Sequence, residues 1–189
     1  MSETGTASEA VAWFHCFAGI AGDMALGSLV DAGADADEVR TLLERLALPG
    51  WDLGFEEALR GGIACTRAIV RGDDVVVRTH GAISALIEGA ALPPRVTDRA
   101  LRVFRALASV ESALHRRPLD QVHFHEVGGH DAIIDIVGTA AALEVLGVDT
   151  VTASAVATGS WVGDTRGAGT VDSSRVMRCS TVRPWASAS

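Results

Sequence analysis

Residues 122–156 read VHFHEVGGHDAIIDIVGTAAALEVLGVDTVTASAV, and the class of the fold turns on how they divide. Val122-His123-Phe124-His125 alternates like a short strand. Gly128-Gly129 breaks it, and the apolar run over 131–146 is too long for a strand and has the length of a helix. Gly147 supplies the stop, and 151–156 reads as another strand. Upstream, the apolar run 13–17 ends in a small-residue loop, and Asp23 opens a helical pattern of Met24, Leu26, Leu29 and Val30 that Gly33 stops. Asp35 is placed to cap the next helix, with Val39, Leu42, Leu43 and Leu46 on one face. Two strands, 51–58 and 63–70, meet around Gly61-Gly62, and 75–77 extends the sheet. A short helix over 82–88 and a long one after Pro93-Pro94 complete the pattern. Strands and helices mix without a regular βαβ repeat. The reading is therefore α+β: one compact domain of mixed helices and a small sheet, with an irregular C-terminal tail. The expected core is Leu42, Leu46, Leu101, Phe104, Leu107, Ile133, Ile136 and Leu143.

Composition narrows the chemistry. The 189 residues are 48% apolar, enough for a sizeable core, and carry a net charge of −8. All 16 basic residues are arginine, with no lysine and no tyrosine. Schiff-base chemistry, a lysine-dependent phosphate loop and tyrosine acid catalysis are excluded, and net acidity argues against nucleic acid as a partner. Cys16, Cys65 and Cys179 are too few and too scattered for a disulfide framework or a zinc ribbon, which points to a reducing cytoplasm. The N-terminus lacks the basic start of a signal peptide, and the stretch 132–148 is too short and too often charged to span a bilayer. From Arg166 the composition turns basic, with four arginines and one acid in the last 24 residues. We expect an unstructured 1–12, a domain over 13–165, and an aberrant or disordered tail over 166–189.

The strongest constellation is His123, His125, Glu126, His130, Asp131 and Asp135. On a strand His123 and His125 share a side, and on a helix Asp131 and Asp135 lie one turn apart. Mixed nitrogen and oxygen donors suit a borderline divalent ion such as nickel, zinc or manganese. The bland reading makes Asp131 an N-cap and His125-Glu126 a turn. Asp135 sits among Ile133, Ile134, Ile136 and Val137, so it is expected to be part-buried and to need a partner. A cation, an arginine or a helix end would each serve. A second constellation is Phe17 to Met24, whose glycines punctuate a strand-to-helix turn able to offer N–H groups to phosphate. There Asp23 is equally a cap, and Cys16 either a ligand or a core residue. His80 is expected at the surface, and His115 at the end of the long helix beside Arg116 and Arg117.

Phe17-Ala18-Gly19-Ile20-Ala21-Gly22-Asp23-Met24, Val122-His123-Phe124-His125-Glu126-Val127-Gly128 and the run from Asp131 to Gly138 resemble the LarC-type nickel insertion proteins. That family inserts nickel into pyridinium-3,5-bisthiocarboxylic acid mononucleotide to form the nickel-pincer cofactor of lactate racemase. The resemblance implies two Ni–S bonds and one Ni–C bond in the product, and coupling to CTP hydrolysis with magnesium or manganese. It implies catalytic roles for Asp23, Glu126 and Asp131. Nickel ligation falls to His123, His125, Glu126 and Asp131, and cofactor contacts to Gly19, Gly22 and Gly128. Soft sulfur on the substrate and nitrogen/oxygen donors on the protein suit an ion that must be handed over.

The chain departs from that pattern at several positions. Gly129 stands where alanine is usual and His130 where a small or apolar residue is usual, making His130 an accessory expected to face solvent. Ala155 replaces a proline, a histidine-rich insertion is reduced to His80, and the proline-rich segment expected after Gly163 is absent. The family chain is about twice as long and carries its CTP site in the other half. The expectation is an N-terminal part, with a separately encoded C-terminal half and a second copy of the chain as possible partners. The alternative is a nickel storage or delivery module without turnover.

Overall fold

The computed structural model describes residues 9–17, 19–72, 77–124, 128–156 and 183–184. Strand β1 (Ala10–Phe14) alternates strictly: Ala12 and Phe14 are buried, and Trp13 is exposed. The alternation carries on past the strand, with Cys16 buried and His15 and Phe17 exposed. Helix α1 (Gly22–Asp31) and helix α2 (Ala36–Leu43) follow. Asp35 caps α2, its carboxylate accepting from the Asp37 and Glu38 N–H groups at 2.9 and 3.0 Å. Strands β2 (Trp51–Arg60) and β3 (Ile63–Gly72) form an antiparallel hairpin, in register from Trp51–Gly72 to Arg60–Ile63. Its two-residue turn holds Gly61 and Gly62 at φ 56° and 79°, the left-handed values that a tight hairpin turn needs. The hairpin rests on α1 where a Cβ at Gly27 would fall 2.5 Å from the Thr66 carbonyl oxygen.

Strand β4 (Arg78–Thr79) leads into α3 (His80–Gly89), whose first turn Thr79 caps through the Ala82 N–H. Helix α4 (Pro94–His115) opens with proline in its first turn and buries Val96, Ala100, Phe104 and Ala108, a stripe one residue in four. After a short 3-10 turn (Leu119–Gln121) come β5 (His123–Phe124), α5 (His130–Val145), β6 (Thr150–Ala153) and β7 (Arg183–Pro184). Among the described residues these strands form three small sheets: β6-β1-β7, β2-β3 and β4-β5. The pair β1–β6 is parallel.

Helix α5 is the centre of the domain, packed against α1, α2, α4 and β3. It is apolar over most of its circumference, with Ile133, Ile134, Val137, Ala140, Ala141 and Ala142 buried. Gly147 at φ 65° ends it, with its own N–H and that of Val148 returning to the Glu144 and Leu143 carbonyls. Arg95 and Arg99 from α4 both reach the Val148 carbonyl and Glu144 just there, where cations complement the helix dipole.

The fold is α+β, as the sequence indicates. Of the expected core, Leu42, Leu46, Phe104, Ile133 and Leu143 are buried, whereas Leu101, Leu107 and Ile136 are only partly so, at the margins of their stripes. β1 begins at Ala10, inside the stretch expected to lack structure, and Arg183–Pro184 pairs with β1 inside the expected irregular tail. Val77 joins no strand, and 73–76 lies outside the described residues. No helix of the described residues is long and apolar enough to cross a membrane.

Candidate functional site

Two helix N-termini meet at one joint. α1 starts at Gly22 after Ala21, which offers no side-chain cap, so the first N–H groups of the helix need acceptors from elsewhere. The Asp23 carboxylate takes the Met24 N–H at 2.8 Å. The Asp135 carboxylate, from α5, takes the Asp23 backbone N–H. Asp135 is thus the cap that the α1 sequence lacks, delivered from 112 positions downstream in the chain. Gly22 makes room for it: a Cβ at that position would lie 2.5 Å from Asp135 Oδ2 and 2.6 Å from its Cβ.

Burial dominates the electrostatics of this carboxyl. Asp135 is 8% exposed, and desolvation pushes its pKa up to about 7. The nearby charges of Asp131 and then Asp23 push the same way, and the Asp23 N–H pulls back. Its Oδ1 has no hydrogen-bond partner among the described residues. The three acids therefore share one neighbourhood: Asp23 in the first turn of α1, Asp131 in the first turn of α5 and exposed, Asp135 one turn deeper.

Of the three partners open to Asp135 in the sequence, the structure supplies a helix end. Neither aspartate expected as an N-cap occupies that position. The caps are Ala21 and Gly129, and Asp23 and Asp131 lie in the turns that follow.

The loop before α5 is gripped by Arg78. Its backbone pairs with Phe124 across β4–β5, its Nη1 donates to the Gly128 carbonyl at 3.0 Å, and its Nη2 lies 3.2 Å from His130 Nε2. A guanidinium only donates, so Nε2 is the accepting nitrogen. His130 is buried, 4% exposed, against the end of β3 at Gly72, contrary to its expected place in solvent. The reason is a partner 52 residues away, invisible to local pattern. Gly128 approaches this chain's own backbone, since a Cβ there would sit 2.7 Å from the Phe124 carbonyl oxygen. Gly19 takes φ 91° and donates its N–H to the Cys16 carbonyl.

His123 faces elsewhere. It is exposed and lines a shallow depression with Val77, His115, Arg117 and Val122, none of them a residue of the joint. His125 and Glu126 lie outside the described residues. Cys16 is a core residue, 1% exposed, its thiol directed at the Phe14 carbonyl. His80 is half-buried, its ring edge-on to Phe124, and burial followed by the Arg105 charge lowers its pKa against the pull of Asp120. His115 ends α4 and lies 3.2 Å from Glu111. Among the described residues no group of three or more His, Cys, Asp or Glu side chains is arranged to hold a metal ion. Arg78 is the residue that sequence reading missed, since nothing in its local pattern marks it.

Comparison with known proteins supplies the context. The family described as nickel insertion protein matches residues 12–171. A relative from Roseiflexus castenholzii, named "Putative nickel insertion protein", is 46% identical over 159 residues, covering 83% of this chain and 40% of its own length. Relatives of the same name from Citrifermentans bemidjiense and Gloeobacter violaceus are 44% identical over 146 residues and 42% over 153. They cover 76% and 79% of this chain, and 38% and 36% of their own. The chain thus spans about 40% of the length of the curated relatives it matches. No solved structure gives a significant match.

Proposed function

The chain belongs to the nickel insertion protein family, and we propose that it holds nickel as cargo at the joint of α1 and α5 for transfer to a sulfur-bearing pyridinium mononucleotide. The observation that carries this reading is Asp135: a buried carboxyl whose Oδ1 lacks a partner among the described residues, flanked by two further acids at paired helix N-termini. Three carboxyls so placed repel one another, and a divalent cation relieves that repulsion.

In this reading Asp23 and Asp131 supply oxygen donors, and His125 and Glu126 are the remaining candidates, since His123 faces elsewhere. Nitrogen and oxygen donors hold a borderline ion loosely enough for thiocarboxylate sulfur to take it. Forming two Ni–S bonds and one Ni–C bond releases a ring proton, for which Asp23, Glu126 and Asp131 are the candidate acceptors. The product is the nickel-pincer cofactor of lactate racemase.

CTP with magnesium or manganese finds no fit here. The chain has no lysine to meet the nucleotide's phosphates, so no step of that hydrolysis is assigned to its residues. The free thiols Cys16 and Cys65 suit a reducing cytoplasm.

Calorimetric titration of nickel into the chain at neutral pH tests the reading. Asp131→Asn and His125→Ala are each expected to weaken binding by about tenfold or more. Unchanged affinity in both variants would overturn it. Nickel binding without transfer to the mononucleotide would mark the chain as a storage or delivery module.

A further inference from the structure

The two ends of α5 are held in different ways. At its C-terminal end Arg95 and Arg99 of α4 pair with Glu144. Its N-terminal end, which carries Asp131, starts from Gly129 and has no side-chain cap of its own. Asp35 and Thr79 cap α2 and α3 locally, and Asp135 serves α1. For the first turn of α5 the restraint is Arg78, 52 positions before His130.

Arg78 reaches this end through main chain and side chain together. Its backbone pairs with Phe124, Nη1 donates to the Gly128 carbonyl at 3.0 Å, and Nη2 donates to His130 Nε2 across 3.2 Å. A rigid guanidinium fork spanning both acceptors fixes the imidazole relative to the chain. The surrounding space is closed. A Cβ at Gly128 would lie 3.1 Å from the Arg78 backbone nitrogen, and one at Gly72 would lie 3.2 Å from His130 Cβ and Nδ1. His130, 4% exposed, is wedged between the end of β3 and the guanidinium, and Asp131 is the next residue.

The chemistry of this tie suits a site that must keep its acids. Both hydrogen bonds run to neutral acceptors, a carbonyl and an imidazole, so neither draws a carboxylate into an ion pair. Because Nε2 accepts, the proton of the neutral ring sits on Nδ1. We propose that Arg78 is a positioning residue for nickel, acting through His130 to set the direction of the Asp131 carboxylate. This rests on the cargo reading above and adds which residue aims its donor. Groups that orient a ligand without touching the metal typically cost about ten- to a hundredfold in affinity when removed.

The test is calorimetric titration of nickel at neutral pH into the parent, Arg78→Ala, Arg78→Lys and Asp35→Ala, the last a destabilised variant outside the joint. Arg78→Ala is expected to weaken binding about tenfold or more, and Arg78→Lys about fivefold, since an ammonium lacks the fork. Asp35→Ala should stay within about twofold of the parent. Methylguanidinium added to Arg78→Ala should recover part of its nickel affinity. Nitrogen NMR of the parent should show His130 with its proton on Nδ1, and a mixture of tautomers in Arg78→Ala. Parent-like affinity in both Arg78 variants would overturn the proposal, as would a proton on Nε2 of His130 in the parent. Nickel binding weakened as much in Asp35→Ala, or methylguanidinium that restores melting temperature but not affinity, would reduce Arg78 to a structural tie. If Arg78→Ala does not fold, Arg78→Lys and the His130 tautomer decide. A parent that binds no nickel removes the cargo reading and this one with it; a parent that binds, with both Arg78 variants unchanged, removes this one alone.

Discussion

Replacing Asp135 by asparagine isolates what the buried carboxyl does to stability. Asparagine keeps an oxygen for the Asp23 N–H and nearly the same volume against Gly22, but it cannot ionise. In the folded chain Asp135 holds its proton to about pH 7, against an ordinary value of 3.8. Between those limits the folded chain binds more protons than the unfolded one, so this group stabilises the fold fully below the lower value and loses that contribution as pH rises to the upper. At about 1.4 kcal/mol per pKa unit the whole effect has a ceiling of about 4 kcal/mol, of which about 2.5 falls between pH 5 and pH 8. Urea unfolding of the parent and of Asp135→Asn at both pH values gives the assay. The parent's loss of stability over that interval should exceed the variant's by about 1 to 2.5 kcal/mol, the lower figure allowing for water reaching the joint. Equal pH dependence in the two proteins would refute the buried, proton-holding carboxyl.

Other perturbations probe the scaffold around the joint. Gly27→Ala drives a methyl to 2.5 Å from the Thr66 carbonyl oxygen and should lower stability by about 1–3 kcal/mol in urea, as the hairpin is pushed off α1. Asp35→Ala removes the acceptor of two N–H groups and should cost about 1 kcal/mol, read as a shift in thermal midpoint. Arg78→Ala should speed hydrogen exchange in the first turn of α5 and cost about 1–3 kcal/mol, with Arg78→Lys restoring only part because an ammonium cannot span both Gly128 and His130.

What the sequence revealed was what is local. Asp35 caps the helix it precedes, Gly61-Gly62 turns the hairpin it joins, and Gly147 stops the helix it follows, because each acts on atoms a few residues away. Asp135 was legible by half: its apolar neighbours announced burial, but which helix end received it depended on how α5 packs on α1. His130 was misread for the same reason. Burial of His130 is set by Arg78, and the outward turn of His123 by the pairing of β5 with β4. Strand alternation fixes which residues share a side, not which side is wet.

The parallel pairing of β1 with β6 also governs when the site can exist. Val11 pairs with Thr150 and Phe14 with Ala153, so nearly the entire domain lies between partners in sequence. A nascent chain emerging N-terminus first exposes β1 long before its neighbour is made, and that edge must wait unpaired while the helices condense. Closure of the sheet is therefore a late, high-contact-order event. The start of α1 acquires its final geometry only then, so interruption of synthesis before Thr150 leaves helices without a site.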